Sequence, residues 1–261
     1  MKSRSLPRLL RRHRIASGAA AAVVAVALAL PLTTERSGAA VDPCRAPTGA
    51  ERLTATLPHV AARIAAGEPV TVVALGSSST AGYGASRPEN SYPSRLADEL
   101  RGRLAGTEVR VINKGIGGDT AEKMAARIDG DALGAAPDLV IWQVGTNDVL
   151  HDADPADDAA IIREGVARMK GAGVDVILMD MQFAPSVIAH AGYRDMLHAI
   201  SAAGYAQGAP VFHRFQIMQA WDETRVMPQS AALADDRLHM NDRSYGCIAR
   251  LLADGIVAAS R

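Results

Sequence analysis

Four short blocks hold the residue types from which acyl-transfer chemistry is built. Gly76-Ser77-Ser78-Ser79-Thr80-Ala81-Gly82 presents hydroxyls on a glycine-flanked turn, and Asp236-Arg237-Leu238-His239 presents a base with a carboxylate three residues before it. Between them, Asn113-Lys114-Gly115-Ile116-Gly117-Gly118-Asp119-Thr120 and Gly145-Thr146-Asn147-Asp148 offer backbone N–H and side-chain amide donors. A serine hydroxyl is a poor nucleophile until a base within hydrogen-bond reach removes its proton, and histidine suits that task near neutral pH. A carboxylate on the other ring nitrogen fixes the tautomer, and donors aimed at the developing oxyanion stabilise a tetrahedral intermediate. Each block alone also has a plain reading: a Ser/Gly loop or phosphate cradle, a Gly-x-Asn-Asp turn, an Asp-x-x-His helix cap. All four in this order carry the functional reading.

Groups so far apart in sequence need rigid elements to bring them together. Four apolar runs, Val70–Leu75, Val109–Asn113, Leu139–Val144 and Val174–Met181, with a weaker fifth at Pro210–Phe212, read as strands covered on both faces. Helical patterns lie between them. Asp154-Pro155 starts one helix with Ile162, Val166 and Met169 on one face, and Asp119 with Glu122 forms a capping box for another. The last helix begins near Asn241 and aligns Tyr245, Ile248 and Leu252. The alternation predicts a three-layer α/β/α sandwich with a mostly parallel five-stranded sheet. In such a sheet the working groups gather at the carboxyl ends of the strands, where three of the four blocks fall.

With those blocks in place, the chain from about Val70 onward resembles the SGNH hydrolases, the GDSL-like esterase and lipase superfamily with its flavodoxin-like fold. That family's first block is usually Gly-Asp-Ser-x-[Ser/Thr]-x-Gly. The resemblance implies a nucleophile at Ser78, an oxyanion hole from the N–H groups of Ser78 and Gly118 and the amide of Asn147, and an acid and base at Asp236 and His239. Ser77 stands where the usual aspartate braces the turn. A glycine at 118 is expected because a backbone N–H must approach closely without a Cβ in the way. The function implied is a metal-independent serine esterase that works through an acyl-enzyme. Its substrate is a small-molecule or glycan acyl ester, with short acyl groups such as O-acetyl. Within the superfamily, a lysophospholipase or thioesterase, or an inactive glycan- or lipid-binding member, is the alternative. Loop Gln182–Tyr193, with Phe183, Pro185 and Val187, is expected to shape the acyl pocket.

Composition removes other classes. Of 261 residues, 48% are hydrophobic and 21% charged, which excludes a disordered or fibrous chain. Twenty-eight basic residues balance 28 acidic ones, and aromatics are 4%, so a nucleic-acid partner is not expected. Asp235, Asp236 and His239 are also metal-ligand types, but no second motif completes a site, and Gly115, Gly117 and Gly118 miss the dinucleotide spacing. No cofactor is expected. A flavodoxin-like phosphate binder would place basic residues at the glycine-rich turns, and only Lys114 is near in sequence. His59, His151, His190, His198 and His213 lack a partnered motif, with His151 closest to a block.

The N-terminus carries Lys2, Arg4, Arg8, Arg11, Arg12 and Arg14, then an apolar run Ile15–Leu32 and small residues through Ala40. This reads as a signal peptide over residues 1–40, with a membrane anchor as the alternative and an esterase domain over 41–261. The domain is expected outside the cytoplasm, as a monomer touching a membrane only through an uncleaved N-terminal segment. Export permits one intramolecular disulfide, Cys44 with Cys247. Its alternative is a buried free Cys247 and an unpaired Cys44.

Overall fold

The computed structural model describes residues 42–261, so the signal or anchor read over residues 1–40 lies outside the described residues. Five strands form one sheet: β1 (Val70–Gly76), β2 (Val109–Gly115), β3 (Leu139–Gln143), β4 (Asp175–Met179) and β5 (Val211–Phe212). Their order is β2-β1-β3-β4-β5 and every pair is parallel, where the sequence led us to expect a mostly parallel sheet. The central β3 and β4 are buried at every position, as strands covered on both faces are. The edge strand β2 departs from that pattern and exposes Arg110 and Asn113.

The helices are α1 (Pro58–Ala66), α2 (Ser78–Ala81), α3 (Tyr92–Arg103), α4 (Ala121–Ala126), α5 (Thr146–Leu150), α6 (Pro155–Gly171), α7 (Pro185–Ile188), α8 (Tyr193–Ala206), α9 (Arg214–Glu223), α10 (Gln229–Ala232) and α11 (Asp242–Ala259). The step from β1 to β2 runs one way along the sheet, and the steps to β3, β4 and β5 run the other way. Right-handed crossovers therefore put α3 on one face and α4, α6 and α8 on the opposite one. The packing agrees: α3 lies against α11, and α6 against α4 and α8. Because the chain reverses direction between β1 and β3, a crevice opens at their carboxyl ends. The turns bearing Ser78 and Asn147 flank it.

Local chemistry sets the helix starts. Asp154 accepts a hydrogen bond from the Ala156 N–H at 2.8 Å, with Pro155 as the first helical residue, and Ile162, Val166 and Met169 are buried. Asn241 accepts from the N–H groups of Arg243 and Ser244, and α11 buries Tyr245, Ile248 and Leu252. The capping box expected from Asp119 and Glu122 does not form. Thr120 caps α4 instead, accepting from Lys123 N, because Asp119 is held in a charge-assisted bond with Arg127. Cys44 and Cys247 form a disulfide with Cα atoms 4.9 Å apart, joining the segment before α1 to α11. The Leu57 N–H donates to the Ala259 carbonyl nearby, which pins the same two ends.

Candidate active site

The turn between β1 and α2 is a single residue, Ser77. The helix α2 that follows packs so closely on β2 that a Cβ at Gly115 would lie 2.1 Å from Ala81 N, so only glycine fits there. Beneath the turn sits Gln143, fully buried at the end of β3. Its Oε1 accepts from the Ser77 N–H (3.0 Å), the Ser77 hydroxyl (3.1 Å) and the Thr80 hydroxyl (3.2 Å). Ser77 thus braces the turn through a neutral amide. Ser79 is also buried and donates inward to Gln182 Oε1 at 3.4 Å. Of the three serines, only Ser78 keeps its hydroxyl for the crevice.

That hydroxyl lies 2.8 Å from His239 Nε2, and His239 Nδ1 lies 2.6 Å from Asp236 Oδ2. The Leu238 and His239 N–H groups both donate to Asp236 Oδ1 at 2.9 Å, which fixes the carboxylate's second oxygen. Burial works against the Asp236 carboxylate. The bonds from the His239 ring, Leu238 N–H and His239 N–H outweigh it and hold the carboxyl below its ordinary range. The loop itself is a narrow turn. Leu233 pairs with Met240, Ala234 N–H donates to the His239 carbonyl, and Arg237 occupies the left-handed region at φ 56°. Its imidazole is largely enclosed, with 12% of the side chain exposed, while Asp236 remains 48% exposed. Asp235 takes no part in these bonds and lines a separate cavity of about 500 Å³ with Arg225 and Arg237. A hydroxyl in contact with an imidazole so oriented can pass its proton to the ring as it attacks a carbonyl carbon.

Gly118 adopts φ 80°, and nothing lies within 4 Å of where its Cβ would stand. No atom of the described residues excludes a side chain here; the left-handed backbone, which L side chains resist, is itself a reason for glycine. Asn147, almost fully buried, donates through Nδ2 to the Asp119 carbonyl at 2.8 Å, which brings it beside the Gly118 loop and leaves its second amide proton free. Among the described residues, the N–H groups of Ser78 and Gly118 have no acceptor. Asp148 joins the two loops, accepting from Ala121 N–H at 2.7 Å and Gly145 N–H at 3.1 Å.

Sequence reading missed the supports. Arg127 donates to the carboxylates of Asp119 and Asp131 and to the carbonyls of Gly76 and Lys114, so a basic group does sit under the glycine-rich turns. It is spent on structure and arrives from a helix end, where no local motif marks it. Buried Arg214 donates to the Asp180 carbonyl and to Gln182 Oε1, and Gln182 Nε2 reaches the Leu238 carbonyl at 3.4 Å. This chain of bonds links β4 to the His239 loop. Tyr83, 56% exposed, places its ring centroid 5.6 Å from that of His239. Of the remaining histidines, His151 is exposed and closes α5 through its backbone N–H, while His190 pairs with Asp152 and His213 with Asp180. The bond from Asp180 raises the His213 pKa despite burial.

Residues 43–261 match the non-GDSL lipase-like family. An arylesterase of Vibrio mimicus is 30% identical over 187 residues, 71% of this chain and 88% of the relative. The thioesterase 1/protease 1/lysophospholipase L1 of Escherichia coli K12 is 26% identical over 70% of this chain and 81% of its own. Among solved structures, a lipase/acylhydrolase from Enterococcus faecalis superposes with a TM-score of 0.58 at 26% identity, covering 72% of this chain and 96% of that one. A two-domain esterase active on acetylated mannans shares the fold at a TM-score of 0.68 and 21% identity; this chain spans 56% of its length. The chain belongs to the non-GDSL lipase-like family, within the SGNH hydrolase superfamily of ester-hydrolysing enzymes.

Proposed function

We propose that this esterase cleaves short acyl esters, such as O-acetyl groups on glycans, through a Ser78–His239–Asp236 triad. The observation that carries the reading is the unbroken line of short contacts from Ser78 Oγ through both ring nitrogens of His239 to Asp236. Ser78 Oγ attacks the carbonyl carbon while His239 Nε2 takes its proton, and the carbonyl oxygen becomes an oxyanion held by Ser78 N–H, Gly118 N–H and Asn147 Nδ2. The intermediate collapses as His239 returns the proton to the leaving alcohol oxygen, leaving an acyl-Ser78 ester. Water then attacks that ester with His239 as base, releasing the acid and restoring the hydroxyl. Asp236 holds the ring tautomer and stabilises the transient imidazolium without itself becoming protonated.

The short acyl group rests on the crevice's rim. One residue separates β1 from α2, two separate β3 from α5, and five separate β4 from α7, so these connections carry no segment long enough for a lid over a long chain. Action outside the cytoplasm is part of the proposal, supported by the basic-then-apolar N-terminus and by a disulfide that an oxidising compartment favours. The decisive experiment pairs Ser78→Ala with an acetyl-to-dodecanoyl ester series. Ser78→Ala is expected to lower kcat by about 10³-fold or more with folding intact. Wild-type enzyme labelled on Ser78 by a serine-directed phosphonate supports the nucleophile. A preference for ten carbons or more would sink the short-acyl reading.

A further inference from the structure

We propose that Tyr83 determines specificity for the alcohol side of the ester, its exposed ring face seating the apolar face of a sugar ring. The inference rests on the proposed role of His239. In the collapsing intermediate the tetrahedral carbon carries four groups: Ser78 Oγ, the oxyanion, the acyl substituent and the leaving oxygen. The leaving oxygen must come within hydrogen-bond reach of His239 Nε2, since that nitrogen returns the proton. Whatever the oxygen is attached to must therefore pass over the residues around the imidazole.

Tyr83 is the aromatic residue at that place. Its ring is tilted 42° to the imidazole, and its hydroxyl sits so close over Gly117 that a Cβ there would meet it at 3.1 Å. The ring thus spans from the proton donor towards the Gly118 loop, along the path a leaving alcohol takes. Ile116, next to Gly117 in sequence, is also an exposed large apolar residue, at 47%.

The backbone that carries the ring is also held in place. Tyr83 N–H donates to the Ser78 carbonyl at 3.0 Å, and the buried Tyr245 hydroxyl donates to the Tyr83 carbonyl at 2.6 Å. Its backbone is tied to the nucleophile's own turn and to α11, so the point from which the ring projects is fixed before substrate arrives, which limits the ordering lost on binding. An exposed aromatic face offers apolar contact and weak C–H attraction to the C–H-bearing face of a pyranose chair. A two-carbon alcohol covers little of that face.

The test compares kcat/KM for a mono-O-acetylated methyl pyranoside with kcat/KM for ethyl acetate. In Tyr83→Ala the pyranoside-to-ethyl selectivity ratio is expected to fall about fivefold or more, mostly through KM, and Tyr83→Phe is expected to restore it. Equal losses on both esters would mean that the ring only steadies His239, and would overturn the proposal. So would an unchanged ratio, or a Tyr83→Phe variant as impaired as Tyr83→Ala, which would transfer the effect to the hydroxyl. Failure of the underlying reading looks different: Ser78→Ala would keep hydrolysing both esters.

Discussion

Asp236 serves His239 with one oxygen and the loop backbone with the other, so its two functions separate under substitution. Asp236→Asn keeps the size but offers an amide where the Nδ1 proton needs an acceptor; it is expected to lower kcat by about 10²–10⁴-fold. Asp235→Asn, on the other side of the loop, is expected to change kcat by less than about threefold. Steady-state kinetics of the two variants decide the assignment, and a larger loss at Asp235 would move the acid there. His239→Ala combined with Ser78→Ala should cost little more than either alone if the proposed triad acts as one unit. These residues were legible because each lies within a short block whose types already imply chemistry. Gln143, Gln182 and Arg127 were not. A glutamine ending an apolar strand, or an arginine ending a helix, acquires meaning only when the sheet places it under a turn from another strand.

Among the elements, α5 and α6 meet across a carboxylate pair. Asp158, in the first turn of α6, is buried with one oxygen lacking any hydrogen-bond partner, and Asp148, Asp157, Asp154 and Glu122 stand around it. Burial first, and then those charges, push its carboxyl up to about 7, from an ordinary value of 3.8. The folded protein therefore holds a proton there that the unfolded chain gives up. Between pH 4 and 7 this site's contribution to stability declines, and it is lost above the folded value. Asp158→Asn is expected to raise Tm at pH 8 and to change it much less at pH 4–5. Melting curves at the two pH values check this, and an equal shift at both would refute it. The sequence marked α6 correctly by its cap and apolar face, since those signals are local. It could not show that an acidic first turn, ordinarily favourable at a helix N-terminus, would face Asp148 from another strand's exit. The missed α4 cap has the same origin, because Arg127 competes for Asp119 only once the helix has formed.

Across the molecule, the parallel sheet followed from the alternation of apolar runs and helical patterns, whereas the strand order came only with the structure and the exposed face of β2 follows from its place at the sheet edge. The Cys44–Cys247 bond spans a sequence separation of 203 and ties the segment before α1 to the helix that follows the His239 loop. In the chain-entropy model a closed loop of that size is worth roughly 5 kcal/mol, with measured values often smaller. Replacing both cysteines by serine is expected to lower Tm by roughly 10 °C or more while kcat at 20 °C stays within about twofold. An unchanged Tm in calorimetry would show that the Leu57–Ala259 contact alone secures the ends. The bond also imposes an order on the protein's birth. Cys44 emerges from the ribosome early and has to wait, as a thiol, until Cys247 on α11 has been made. With no third cysteine in the chain, a waiting Cys44 can err only with another molecule. The enzyme's maturation is thus exposed to crowding by its own neighbours rather than to reshuffling within itself.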